Sequence, residues 1–141
     1  MAKIHAAPIK KERYFEAVGR RKTAVARVRV SQHHGKGDMV MVNEKNLQGY
    51  FPLAKHQQVV LAPFSTLSLK EYAVSAKVEG GGVNSQAEAV RLGISRALIL
   101  INQIWRSKLK ALGYLKRDPR MVESKKFGSR KARRPQQWRK R

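Results

Sequence analysis

The sequence predicts a single α/β (α+β) domain, with helices on one face of a mixed four-stranded sheet, followed by a basic, extended C-terminal tail. Residues 23–30 and 72–78 place small or apolar side chains at every second position, the period of a strand with one buried face. Residues 87–101 instead place them at spacings of three and four, the period of an amphipathic helix. Together with the shorter elements of the chain, these segments give the order β-β-β-α-β-α-α, which is typical of one domain with helices packed on a sheet.

The first half of the chain predicts three strands. Order is expected to begin at 14–18, and Gly19 with the basic residues that follow it indicates a turn or bulge before the second strand. Residues 35–38 contain two glycines and an aspartate, so they predict a hairpin that leads into a third strand at 39–42.

The second half of the chain predicts helices around the fourth strand. Two short helices, broken near Pro52, are expected to end before Pro63, because proline removes a backbone donor. Ser85 and Glu88 have the spacing of a capping box at the start of the main helix. A final short helix with Trp105, Leu109 and Leu112 on one face is expected to end at Gly113, a residue that readily forms a left-handed cap.

The last 26 residues of the chain carry twelve basic and two acidic side chains, a net charge of +10. Their apolar residues follow no helical or strand period. A segment with this charge stays extended by self-repulsion until a polyanion neutralises it. We therefore expect three parts of the chain: a basic N-terminal arm at 1–12, an α/β domain at 13–115 and an extended basic tail at 116–141.

The whole chain is basic, with 31 Lys and Arg against 9 Asp and Glu and a net charge of +22. Such a charge favours encounters with polyanions, so nucleic acid and an anionic membrane surface are the candidate partners. The longest apolar run, 97–101, is far shorter than the roughly 18–20 residues of a membrane span, so we expect no membrane partner. The chain contains no cysteine, which excludes disulfides and thiolate chemistry.

An enzymatic function is not expected. The glycines at 80–82 precede a helix and resemble a phosphate-binding loop, but they lack the Lys-Ser/Thr of a P-loop and the glycine spacing of a dinucleotide site. Two interpretations stay open for them: a turn that lets strand and helix pack closely, or an RNA phosphate contact. The four histidines and nine acids are scattered, so we expect no catalytic residue, metal, cofactor or small-molecule substrate.

A nucleoid-type DNA-binding protein is the rival from another functional class. Such a protein needs a dimerisation surface or a base-reading helix. The main amphipathic helix instead directs its apolar face to the core, so RNA is the favoured polyanion.

Three stretches of the chain resemble the ninth protein of the small ribosomal subunit in its bacterial form. Residues 19–28 have the pattern GRRKTAxARV. The glycines at 80–82 are followed at 86–98 by QAxAxRxGIxRAL. The tail has RDxRxVExKKxGxRKARR at 117–134 and ends in Lys140-Arg141.

The resemblance implies a structural protein of the cytoplasmic ribosome. Its fold would be similar to the second domain of the fifth small-subunit protein, which has a left-handed β-α-β crossover against the usual right-handed rule. Its partners would be small-subunit ribosomal RNA, neighbouring proteins of the subunit head and peptidyl-site transfer RNA.

We expect ribosomal RNA to contact the basic residues of the first hairpin and most of the tail, and transfer RNA to contact the tail tip. The family's terminal Lys-Arg contact corresponds to Lys140 and Arg141, and Arg139 adds a charge where a small polar residue is usual. Trp138 replaces a common phenylalanine and is interpreted as a base-stacking platform. The predicted ribosomal-RNA residues are Arg20, Arg21, Lys22, Arg27, Arg29, Lys116, Arg117, Arg120, Lys125, Lys126, Arg130, Lys131, Arg133 and Arg134.

Overall fold

The computed structural model describes residues 13–32 and 39–140. The predicted arm at 1–12, the hairpin residues 35–38 and the tail-tip residue Arg141 lie outside the described residues. The described part of the chain forms one α+β domain, with five strands in one mixed sheet and four α-helices. The prediction of a single domain with a mixed sheet is confirmed, whereas the prediction of four strands is wrong.

The strands are β1 (Tyr14–Arg21), β2 (Ala24–Gln32), β3 (Val40–Val42), β4 (Lys45–Asn46) and β5 (Tyr72–Glu79). The helices are α1 (Leu47–Tyr50), α2 (Ala54–Leu67), α3 (Val83–Ile101) and α4 (Arg106–Ala111), with a 3-10 turn at Gln103–Trp105. The strand that the sequence did not predict is β4, whose two residues are too few to show a period.

The strand order in the sheet is β1-β2-β5-β3-β4. The pairs β1/β2, β2/β5 and β3/β4 are antiparallel, while β3 and β5 are parallel. The predicted hairpin from β2 into β3 is therefore wrong, because β5 lies between these strands. The physical reason is the length of the hydrogen-bonded ladder. Strand β5 pairs with β2 over eight residues, from Val25 opposite Glu79 to Gln32 opposite Tyr72. Strand β3 has only three residues and could form only a short ladder with β2.

The core lies between one face of the sheet and the helices. Alternate residues of β2, from Ala24 to Val30, are fully buried, and β3 and β5 bury their valines on the same face. The main helix α3 packs on this face, and Ile94 and Leu98 are fully buried there. The opposite face of the sheet carries exposed residues, so the helices cover one face as predicted.

Gly19 lies inside β1, so the turn predicted at 19–22 begins later than at this residue. Its role is close packing: a Cβ at Gly19 would lie 1.8 Å from the carbonyl oxygen of Ala89, and one at Gly93 would lie 2.5 Å from Val28. The strand continues to Arg21, and the turn to β2 falls at Lys22, whose φ is 51°. The glycines therefore bring β1 and α3 into backbone contact.

Three details of the helices differ from the prediction. Helix α2 continues through Pro63, which is fully buried, and the packing of α2 on α3 offsets the missing backbone bond. The capping box is wrong, because α3 begins at Val83 with Gly82 as its N-cap and no side-chain cap. Leu112 is exposed, whereas the left-handed Gly113 is confirmed with φ of 73°.

Candidate nucleic-acid interface

The face of the sheet that the helices leave open carries the two predicted strand arginines. Arg27 and Arg29 point away from the core, with side chains 61% and 49% exposed. Lys77 of β5 is the register partner of Arg27 and is also exposed. The guanidinium carbon of Arg29 lies 4.8 Å from the centre of the Tyr14 ring. We call these four residues the open-face patch.

Glu16 sets the geometry of the open-face patch. It lies opposite Arg29 in the β1/β2 ladder, and Arg29 Nε donates to its Oε2 at 2.8 Å. Its other oxygen is 3.5 Å from Arg27 Nε. The hydrogen bond and the charge of this carboxylate raise the pKa of Arg29. One carboxylate therefore orients two arginines and leaves the patch with a net positive charge.

The turn after β1 separates its three basic residues into two kinds. Arg20 and Lys22 are exposed, whereas the Arg21 side chain is only 12% exposed. Arg21 Nε donates to Glu88 Oε2 at 2.6 Å, and Nη1 donates to the carbonyl oxygen of Arg120 at 2.9 Å. Its Nη2 lies 2.9 Å from Asp118 Oδ2. All three nitrogens of Arg21 therefore contact acceptors of the chain itself.

Asp118 completes this contact between the domain and the start of the tail. Arg120 donates its Nη2 to Asp118 Oδ2 at 2.7 Å and its backbone amide to Oδ1 at 2.9 Å. Hydrogen bonds from Arg120, with smaller contributions from the charges of Arg120 and Arg21, hold the pKa of Asp118 well below its usual range. We call Arg21, Glu88, Asp118 and Arg120 the tail clasp.

The tail beyond the clasp forms no helix or strand within residues 121–140 and is almost entirely exposed. One turn interrupts its extended course: Gly128 has φ of 76°, and the amide of Arg130 donates to the carbonyl oxygen of Arg134 at 2.7 Å. Arg133 pairs with Glu123 at 2.8 Å. The predicted platform Trp138 is 92% exposed, so its ring is open to a stacking partner.

Most basic residues of the tail have no internal partner. Among residues 13–32 and 39–140, Arg120 and Arg133 are the only basic residues of the tail that form ion pairs. Arg141 lies outside the described residues, so nine described cations of the tail pair with no described carboxylate: Lys116, Arg117, Lys125, Lys126, Arg130, Lys131, Arg134, Arg139 and Lys140.

The glycines before α3 have a clear packing role. Gly80 and Gly81 have φ of 70° and 66°. A Cβ at Gly81 would lie 2.9 Å from the Cβ of Ala24, and one at Gly80 would lie 2.7 Å from the carbonyl oxygen of Thr23. Close packing and positive φ therefore account for glycine at positions 80 and 81, with no need of a ligand. An RNA phosphate contact at these glycines stays a prediction.

Sequence reasoning missed the basic residues that α3 and α4 present to solvent. Arg91 lies 5.0 Å from the centre of the Tyr114 ring, and Arg96 Nη1 donates to the carbonyl oxygen of Val18 at 2.8 Å. Arg106 and Lys110 of α4 are exposed nearby. The sequence signal for these residues is the polar side of each predicted helix, which apolar periods alone do not reveal.

The described residues contain neither a metal-ligand cluster nor a membrane-spanning helix. No group of three or more His, Cys, Asp or Glu residues within 13–32 and 39–140 is placed to hold a metal ion. In the same part of the chain, no helix has the length and apolar character to cross a membrane. His56 is buried and bonds to Asn84 Oδ1, while His33 and His34 lie outside the described residues.

A small α+β domain with an exposed, strongly basic tail is typical of structural proteins that associate with nucleic acid. A family model described as "Ribosomal protein S9/S16" matches residues 19–141. The chain is also similar to curated proteins named "Small ribosomal subunit protein uS9". Those of Mycobacterium bovis (strain BCG / Pasteur 1173P2) and Mycobacterium tuberculosis (strain ATCC 25618 / H37Rv) are 47% identical over 131 residues, covering 92% of this chain and 85% of the relative. For Mycobacterium ulcerans (strain Agy99) the identity is 47%, with coverage of 92% and 84%.

The chain therefore belongs to the ribosomal protein S9/S16 family. As a member, it is a structural, non-enzymatic constituent of the small ribosomal subunit and is located with the cytoplasmic ribosome. The resemblance that the three sequence motifs indicated is confirmed.

Proposed function

We propose that this chain binds ribosomal RNA in the head of the small subunit and places its C-terminal tip near peptidyl-site transfer RNA. The observation that supports the proposal is the unpaired charge of the tail. Nine of its cations have no carboxylate partner within the described residues, and its acids Asp118 and Glu123 are both paired internally. Such a surface gains free energy from a polyanion through released counterions.

In the proposed complex the open-face patch and the tail bind phosphate and bases. Arginine can contact phosphate through two parallel hydrogen bonds and can also stack on bases, so lysine is not an equivalent replacement. Arg27 and Arg29 are already oriented by Glu16, so they lose less side-chain freedom when they bind RNA. Arg20 and Lys22 extend the patch at the turn. Arg21 contributes by holding the start of the tail.

The tail tip is the part of the chain that we propose contacts transfer RNA. Lys140 is exposed, and the family resemblance assigns transfer-RNA contact to it and to Arg141, with Arg139 beside them. The exposed ring of Trp138 supports base stacking at the same end. Beyond the clasp, few internal contacts fix the tail, so we propose that it takes one path only on RNA.

The proposal also includes a division of the chain, a fold similarity and a set of protein neighbours. One is the division into an arm at 1–12, a docking domain at 13–115 and a tail at 116–141. The second is a fold similar to the second domain of the fifth small-subunit protein, for which the parallel pair of β3 and β5, joined through α1 and α2, provides support. The third is contact with neighbouring proteins of the subunit head.

A competition titration tests the proposed RNA function. The full chain is bound to labelled small-subunit ribosomal RNA and challenged with unlabelled ribosomal RNA or with duplex DNA at equal phosphate concentration. We expect the ribosomal RNA to displace the label at a much lower concentration than the DNA. Equal displacement by both would contradict the proposal and favour general polyanion binding.

A further inference from the structure

A cleft of about 460 Å³ lies between α3, α4 and the residues that lead into the tail. Its apolar floor includes Leu100, which is 57% exposed, and Leu115, which is partly buried. Its rim carries four cations: Arg96, Arg106, Lys110 and Lys116. The volume falls within the range of about 300–1,000 Å³ that is usual for sites of small ligands.

Contacts within the domain position two sides of the cleft. The Arg96 guanidinium donates to the carbonyl oxygen of Val18 at 2.8 Å, which places it at the edge of β1. On the other side, the ring of Tyr114 lies under the guanidinium of Arg91 of α3, and the adjacent Leu115 packs against the core. The site is thus built by three elements of the domain.

The charge of the cleft is uncompensated. Within residues 13–32 and 39–140, none of its four cations forms an ion pair. The two acids nearest to its walls in sequence are Glu16 and Asp118. Glu16 already pairs with Arg29, and Asp118 already pairs with Arg21 in the tail clasp. Among the described residues, no acid lines the cleft. An occupant must therefore combine negative charge with an apolar or aromatic surface.

We propose that this cleft binds an unpaired RNA nucleotide, with its base on the leucine floor and its phosphates at the four cations. This inference rests on the proposed RNA function and extends it to a second site on the opposite side of the sheet from the open-face patch. A duplex keeps its bases inside, whereas an unstacked base can enter a concave surface and stack on guanidinium planes such as those of Arg96 and Arg106. The position of Lys116 makes the cleft continuous with the tail.

Two matched pairs of variants of the full chain test the proposal by binding to small-subunit ribosomal RNA across a salt series. Lys110→Glu changes the rim, and its control Lys108→Glu lies on the same helix outside the cleft. Leu100→Gln changes the floor, and its control Ile104→Gln changes an exposed residue that does not line it. Circular dichroism establishes whether each variant folds. If Leu100→Gln or Ile104→Gln does not fold, the comparison of Lys110→Glu with Lys108→Glu decides the result.

We expect Lys110→Glu to weaken binding about tenfold and to make the salt dependence shallower by about one ion. Leu100→Gln should weaken binding about three- to tenfold with an unchanged salt dependence, because it removes the base contact and no charge. Both controls should bind as the unchanged chain does.

Equal RNA affinity of the cleft variants and their controls would overturn the proposal. If Lys110→Glu then failed to enter subunits while binding RNA normally, the occupant would be an acidic protein segment. Failure of the unchanged chain to bind ribosomal RNA would overturn the proposed function itself. The two failures are distinguishable, because the cleft proposal alone fails when the unchanged chain binds RNA and the cleft variants bind it equally well.

Discussion

Arg21 Nη2 lies 2.9 Å from Asp118 Oδ2, although 97 positions separate these residues in the chain. The contact joins the end of β1 to the first residues of the tail, and Glu88 of α3 holds the same guanidinium at 2.6 Å. The direction in which the tail leaves the domain is therefore fixed at its start.

Replacing Arg21 with alanine should release the start of the tail. Hydrogen bonds between charged groups contribute about 1.5–3 kcal/mol, and the partial exposure of Glu88 reduces the expected cost in unfolding free energy to about 1–2 kcal/mol. Arg20→Ala is the control, since Arg20 is exposed and forms no ion pair within the described residues. Amide hydrogen exchange at 117–121 measures the release. Unchanged protection in Arg21→Ala would show that the clasp does not hold the tail.

Asp118 should remain ionised in acid to an unusual degree. Its pKa in the folded chain lies below the ordinary value of about 3.9, so its contribution to the clasp is fully present above pH of about 4 and is lost as pH falls through the lowered pKa. A carbon-13 NMR titration of the carboxyl groups gives the midpoint. We expect Asp118 to titrate clearly below the ordinary value of about 3.9, and a midpoint near that value would contradict the described hydrogen bonds.

Replacing Arg27 and Arg29 should impair entry of the chain into small subunits. Glutamine is the cleaner substitution, because two glutamates beside Glu16 would also repel one another; the stronger Glu variant should show the larger defect. The double variant Lys55→Gln and Lys70→Gln removes two exposed charges elsewhere and is the control. Gradient sedimentation of reconstituted subunits measures incorporation. Equal incorporation of the two double variants would show that the open-face patch does not bind RNA.

Gly19→Ala should strongly destabilise the domain. Its Cβ would lie 1.8 Å from the backbone oxygen of Ala89, and backbone atoms cannot turn away as a side chain can. Overpacking usually costs about 1–3 kcal/mol, and we expect the upper end or a failure to fold. Gly82→Ala has no atom within 4 Å of its added Cβ and should cost less than 1 kcal/mol, the scale of a poorer N-cap. Thermal unfolding compares the two, and similar midpoints would contradict the close packing of β1 on α3.

The sequence predicted the parts of the fold that local periods determine. Strands β2 and β5 and helix α3 follow from alternate or three-and-four spacing of apolar residues, and all three are confirmed. The position of β5 between β2 and β3 depends on contacts between distant segments, which local patterns do not contain. The same holds for Glu88, whose spacing from Ser85 indicates a cap but whose carboxylate binds Arg21, 67 positions away.

The candidate interface was predictable in composition and less so in geometry. Charge density identified the tail, and alternation in β2 placed Arg27 and Arg29 on the open face, where the structure has them. Neither signal distinguishes a cation that is free from one that is paired. Arg21 donates to the carbonyl oxygen of Arg120, and Glu16 lies beside two arginines. Both arrangements depend on distances that exist only in the folded chain.

The affinity of peptidyl-site transfer RNA for reconstituted subunits, measured across a salt series, tests the central claim most directly. The comparison is between the full chain, a chain lacking Lys140 and Arg141, and a control in which Lys125 and Lys126 are alanine. We expect the truncated chain to assemble normally and to bind transfer RNA about 1–3 kcal/mol more weakly, with a shallower salt dependence. The control should retain transfer-RNA affinity. Unchanged affinity and salt dependence in normally assembled truncated subunits would show that the tail tip does not contact transfer RNA.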